Sequence, residues 1–119
     1  MSQITLSLSS DQRDFLDKIA DKSNLNFGEL TWRALLYTDK ELIVDFLNEY
    51  IQFITSKEHG VRTYLQNRYT LQDDLKALSK SYKEIGYNIG IKGVVVLYIL
   101  YYAENKFDID ISNYKRYNV

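Results

Sequence analysis

Apolar and polar residues alternate strictly at the start of the chain: Ile4, Leu6 and Leu8 are apolar, and Gln3, Thr5 and Ser7 between them are polar. A period of two belongs to a strand with one buried and one free face. The period then changes to that of a helix. Phe15, Leu16, Ile19 and Ala20 share one face of a segment running to about Lys22, while Asp11, Asp14, Asp17 and Asp21 lie largely on the other. Ser9 and Ser10 both qualify as its N-cap; Ser9 has the better case, because Gln12 stands three residues on, the spacing of a capping box. Asn26, with Glu29 three residues on, caps a second helix that holds Leu30, Ala34 and Leu35 on one stripe and ends near Tyr37. One strand followed by two short helices cannot bury its own apolar surface, so this opening unit needs a partner.

Further along, Thr38 and Glu41 predict another capping box and a third helix through about Thr55, with Leu42, Ile43, Phe46, Leu47, Tyr50, Ile51 and Ile54 on a broad apolar stripe. His59 and Gly60 read as its exit, His59 as a lone surface loop residue with no second ligand for a metal. Val61 to Tyr69 is short, β-prone and partly alternating, with Leu65 and Tyr69 as inward candidates and Tyr64, Gln66 and Arg68 outward. Thr70 then caps a helix through about Ile85, with Leu71, Leu75, Leu78, Tyr82 and Ile85 facing the core. Asp73 and Asp74 in its first turn favour the helix dipole. Gly86, Gly90 and Gly93 punctuate the turn that follows. Gly93 to Ala103 is rich in the β-branched and tyrosine residues that favour strands, but its length predicts a buried helix, with Tyr98, Tyr101 and Tyr102 packed. From Phe107 onward no pattern is clear. Tyr114-Lys115-Arg116-Tyr117 is expected to be a disordered tail, with contact to a DNA backbone or a partner as the sharper alternative.

Composition narrows the field. With 119 residues, 45% of them hydrophobic, the chain is expected to form one compact unit or two very small ones. Cysteine is absent, which removes disulfides, thiolate metal sites and a thiol nucleophile and suits a reducing interior. The first apolar residues alternate instead of forming a signal-peptide core, and the longest apolar run is too short to span a bilayer, so a cytoplasmic protein without a membrane partner is expected. Nothing pairs a nucleophile with a base, no glycine loop is placed to cradle a phosphate, and neither a cofactor nor a small-molecule substrate is implied. Net charge is −1, but unevenly spread: residues 1–60 carry 6 basic and 10 acidic side chains, residues 61–119 carry 9 and 6. A protein that grips phosphates must therefore draw its positive charge from the second half.

Strand, helix and helix at these offsets resemble the ribbon-helix-helix family, which includes the methionine, Arc and CopG repressors. The apolar positions of that pattern fall on Ile4, Leu6, Leu8, Leu16, Ile19, Ala20, Leu30, Ala34 and Leu35, and Gly28-Glu29-Leu30 stands where the family often has Ser-Glu-Leu at the start of its second helix. The resemblance covers about residues 2–37. It departs in two places: the polar face of the strand lacks the basic residue many members carry, and Thr31 stands where an apolar residue is common. In the family, two such units interlock and their strands form an antiparallel ribbon that enters the major groove. The resemblance thus implies double-stranded DNA as partner, base contacts from Gln3, Thr5 and Ser7, and phosphate contacts from Asn26, Phe27 and Gly28 at a helix N-terminus. It further implies a repressor, or an accessory protein of plasmid transfer, of bacterial, phage or plasmid origin.

Two partners are open to the first strand. In one arrangement residues 1–37 form the ribbon-helix-helix unit, 38–58 connect, and 59–106 form a degenerate second unit, so that one chain is a pseudo-dimer like the tandem members among conjugation accessory proteins, with 107–119 as tail. Gln66 and Arg68 then join the base contacts and Arg62 the phosphate contacts. Aligning Ile4 with Leu65, Leu16 with Leu75 and Leu30 with Val94 gives offsets of 61, 59 and 64, a poor register that leaves Asn67 at a core position. In the other arrangement, residues 39–105 are a helical oligomerisation region and the strand pairs with that of a second chain. Either way the expected fold is mostly α with a short two-stranded antiparallel ribbon. A protein–protein module built on the same scaffold without DNA, antitoxin-like or phage-encoded, is the alternative in function, favoured by the acidic first half.

Overall fold

The computed structural model describes residues 2–57 and 60–116, the side chain of Arg116 excepted; the expectations for His59 and Tyr117 fall outside it. Strand β1 (Gln3–Leu8) leads into helices α1 (Ser10–Ser23) and α2 (Phe27–Tyr37). Two short helices follow, α3 (Val44–Glu49) and α4 (Ile51–Ile54), then strand β2 (Val61–Gln66), helices α5 (Leu71–Glu84) and α6 (Ile91–Phe107), and a last turn of 3-10 helix over Ser112–Arg116. The chain is mostly helical with one two-stranded antiparallel sheet.

Of the two partners open to β1, the structure has β2 of the same chain. Gln3 faces Gln66, Thr5 faces Tyr64 and Ser7 faces Arg62, with Ile4–Leu65, Leu6–Thr63 and Leu8–Val61 between them. The second set points inward: Ile4, Leu6, Leu8, Thr63 and Leu65 are buried and Val61 is half-buried. The inward residues expected of the second strand were Leu65 and Tyr69, and only the first is right. The strand ends at Gln66 because Asn67 turns away: its amide donates to Ser2 Oγ and its Oδ1 accepts from the Gln72 N–H at 3.1 Å. Asn67 therefore holds the start of α5 in place of the predicted cap Thr70, whose hydroxyl bonds Asp74 instead. Tyr69, expected in the core, takes a left-handed backbone (φ 53°) and is 70% exposed.

Helices α1 and α2 form as their patterns predict. Ser9 and Gln12 close a capping box, and Asn26 Oδ1 accepts from the Glu29 N–H at 2.8 Å. The third predicted helix does not form at its expected start. Thr38 bonds back to the Leu35 carbonyl, and Asp39 and Lys40 both adopt left-handed backbone, so Thr38 closes α2 instead of opening a helix. Residues 41–43 are held by two tyrosines from the second half. The Ile43 N–H donates to Tyr82 Oη at 2.9 Å, Tyr82 and Tyr98 share a hydrogen bond of 2.7 Å, and Tyr98 donates to the Glu41 carbonyl at 2.6 Å. Burial pushes both phenols above their ordinary pKa, which keeps this relay neutral. The predicted helix also breaks at Tyr50, giving α3 and α4.

Helix α6 is the axle of the core. Gly93 to Leu100 are all buried, as are Tyr102 and Ala103, and the helix packs against α1, α2, α4, α5 and β1. An all-round apolar helix is stable only when it is enclosed in this way. Gly93, expected in a turn, lies in its first turn. Ile85, expected on the buried stripe of α5, is half-exposed, because α5 ends at Glu84 and the chain turns at Gly86. The described part of the segment expected as a disordered tail is anchored: Ile109 and Ile111 are buried, and Tyr114 meets Phe15 edge to face and lies tilted over Phe53. Among the described residues no helix is long and apolar enough to cross a membrane.

Candidate nucleic-acid interface

A two-stranded ribbon covered on one face leaves the alternate residues of both strands on the other. Here those are Gln3, Thr5 and Ser7 of β1 and Arg62, Tyr64 and Gln66 of β2, all exposed. From Gln3 to Ser7 the face spans about 14 Å at ~3.4 Å per residue. Gln3, Thr5, Ser7, Arg62 and Tyr64 make no side-chain hydrogen bond or ion pair among the described residues, while Gln66 Oε1 accepts from the Asn26 amide at 3.2 Å. The face thus presents unsatisfied amide, hydroxyl and guanidinium groups on a backbone fixed by its register.

One end of the ribbon is built against the start of α2. Gly28 is buried there, and a Cβ at its position would lie 2.3 Å from the Gln66 carbonyl oxygen, so only glycine allows this approach. That contact brings Asn26 and Phe27 beside Gln3, Tyr64 and Gln66 around a cavity of about 330 Å³. Asp17 of α1 also lines it. Arg13, one turn earlier, bonds the Asp17 carboxylate at 3.2 Å, reaches Thr63 Oγ1 at 3.3 Å and lies over the Phe27 ring. At the other end, Gly60 approaches the Ser7 hydroxyl closely. The start of α6 carries Lys92, whose ammonium donates to the Ser56 carbonyl; burial, with the Lys57 charge adding to it, lowers its pKa.

Five of the predicted contacts, Gln3, Thr5, Ser7, Gln66 and Arg62, therefore share one face, and Asn26, Phe27 and Gly28 border its end. Arg62, expected beside phosphates, stands on the exposed face of the ribbon itself, opposite Ser7. Arg68, expected on that face, lies beyond the end of β2: it forms an ion pair with Glu29 of α2 and covers the Tyr69 ring, which stacks on Trp32. Tyr64, to which the sequence assigns no contact, occupies the centre of the face beside Thr5. Its outward position is legible from the alternation, but its chemistry singles out no base. Arg13, Lys57 and Lys92 lack any sequence signal, because their positions follow from packing between elements far apart in the chain.

Comparison with models of known families, with curated proteins and with solved structures returns no match.

Proposed function

We propose that the chain is a tandem ribbon-helix-helix protein. In this reading β1–α1–α2 and β2–α5–α6 are two copies of one unit, and the protein binds double-stranded DNA sequence-specifically by placing the ribbon in the major groove. It acts without catalysis, as a repressor or as an accessory protein of a plasmid or other mobile element. The observation that carries the reading is the exposed ribbon face, whose polar side chains, Gln66 excepted, have no partner among the described residues and whose two strands suit the groove in width. The register supports the tandem origin. A spacing of 59 residues relates Ile4 to Thr63 and Leu6 to Leu65 on the inward face, and Gln12, Leu16 and Ile19 to Leu71, Leu75 and Leu78 on the buried stripes. Pairing Ile4 with Leu65, as apolar content alone suggests, obscures that constancy.

A second reading, a protein-binding module on the same scaffold, is favoured by one observation: Asp17 lines the cavity at the ribbon end where a phosphate would approach. Titration of fluorescent duplexes from the gene's own upstream region separates the two. Expected is saturable binding whose log affinity falls with log salt at a slope of about −2 to −4, reflecting two to four neutralised phosphates. Absence of binding at low salt leaves the protein module as the surviving reading.

A further inference from the structure

The two ends of the ribbon carry different chemistry. The spacing of 59 places the relating two-fold through the Thr5–Tyr64 pair, the middle one of the three outward-facing pairs. That operation exchanges Gln3 with Arg62, Thr5 with Tyr64 and Ser7 with Gln66. Two identical chains would repeat one set of side chains at both ends and would read a palindrome. None of these three exchanges preserves the residue.

Resting on the proposal that the ribbon reads the major groove, we infer that its target is a non-palindromic duplex, with adenine required at the Gln3 end and guanine at the Arg62 end. Among the described residues Gln3 has a free amide, whose donor and acceptor match N7 and N6 of adenine, and Arg62 a free guanidinium, which matches O6 and N7 of guanine in bidentate fashion. Gln66 does not restore symmetry, because its carbonyl oxygen is occupied by Asn26. The flanks differ in the same sense. The exposed Asp17 and Asp21 of α1 have Lys76 and Lys80, also exposed, 59 residues on in α5. The second unit therefore supplies the charge that holds the backbone, and the first supplies discrimination with little grip of its own.

Selection of the full chain on a randomised duplex pool, followed by titration of the selected site with variants, tests this. The expected consensus is non-palindromic. Arg62→Ala and Arg62→Lys each reduce the preference for guanine at one end by roughly ten- to a hundredfold, and Gln3→Ala does the same for adenine at the other end only. Arg62→Lys keeps the affinity for duplexes lacking that guanine within a fewfold, since it preserves charge and loses the fork. A palindromic consensus, or an Arg62→Ala variant weakened equally on all sequences, overturns the inference while leaving DNA binding intact. Failure to retain any duplex removes the parent reading and this one together.

Discussion

Gln12 joins two parts of the chain that have no common sequence signal. Its Oε1 accepts from the Ser9 N–H at 2.9 Å, completing the capping box. Its Nε2 donates to the carbonyls of Phe53 and Ile54, at 2.8 and 3.2 Å, and reaches that of Ser56, closing the end of α4. The bonds to Ser9, Phe53 and Ile54 are buried, so those groups have no water to replace it. Gln12→Ala should therefore cost about 2–4 kcal/mol, more than a lost cap alone, as measured by urea denaturation. A loss below 1 kcal/mol would show that the α4 end does not depend on this side chain. The capping half of its role was legible from the spacing to Ser9. The other half was not, because it is written 41 to 44 residues away. Thr63 is the converse case: its polarity hid it from the inward face, yet it is fully buried, with its hydroxyl bonded to the Val61 carbonyl and to Arg13.

Among the elements, those with a dominant period are the ones the sequence predicts well: β1, the capped helices α1 and α2, and the stripe of α5 from Leu71 to Tyr82, though neither its cap at Thr70 nor its end at Ile85. Helix α6 was legible despite its strand-like composition, because only a helix accommodates so long an apolar run in a small core. The region from Thr38 to Thr55 was not legible. Its stripe is helical, but the Tyr82–Tyr98 relay and the left-handed Asp39 and Lys40 set where the helix starts. The end of β2 was misread for a similar reason, since Asn67 turns the chain before the apparent alternation ends. The contact between α2 and β2 offers a direct test. In the interior of a helix, alanine is favoured over glycine by about 1 kcal/mol. At Gly28 the added Cβ meets rigid strand backbone, so Gly28→Ala should instead destabilise by about 1–3 kcal/mol. A stabilised variant, read from the denaturation midpoint, would mean that α2 does not sit this close to the ribbon.

For the whole molecule, the expected mostly helical fold with a two-stranded ribbon is found, and the open question of strand pairing is answered within the chain. The strand's partner stayed open at the sequence level for a physical reason: a spacing of 59 residues holds for the strands and the buried stripes of α1 and α5, whereas α2 and α6 begin 64 residues apart. Because β1 and β2 belong to one chain, unfolding should be unimolecular, with a midpoint independent of protein concentration and a solution mass of 14.0 kDa. A midpoint that rises with concentration would show that a second copy completes the fold.

The connection from Thr38 to Gly60 also acts as a tether. It holds β2 near β1 at an effective concentration on the order of millimolar, whatever the number of molecules present. A ribbon assembled from two chains comes apart when its subunits are scarce, so a cell must maintain a stock of them. Here every translated copy carries a finished two-stranded face, and a gene expressed at a few molecules per cell loses none of these ribbons to dissociation.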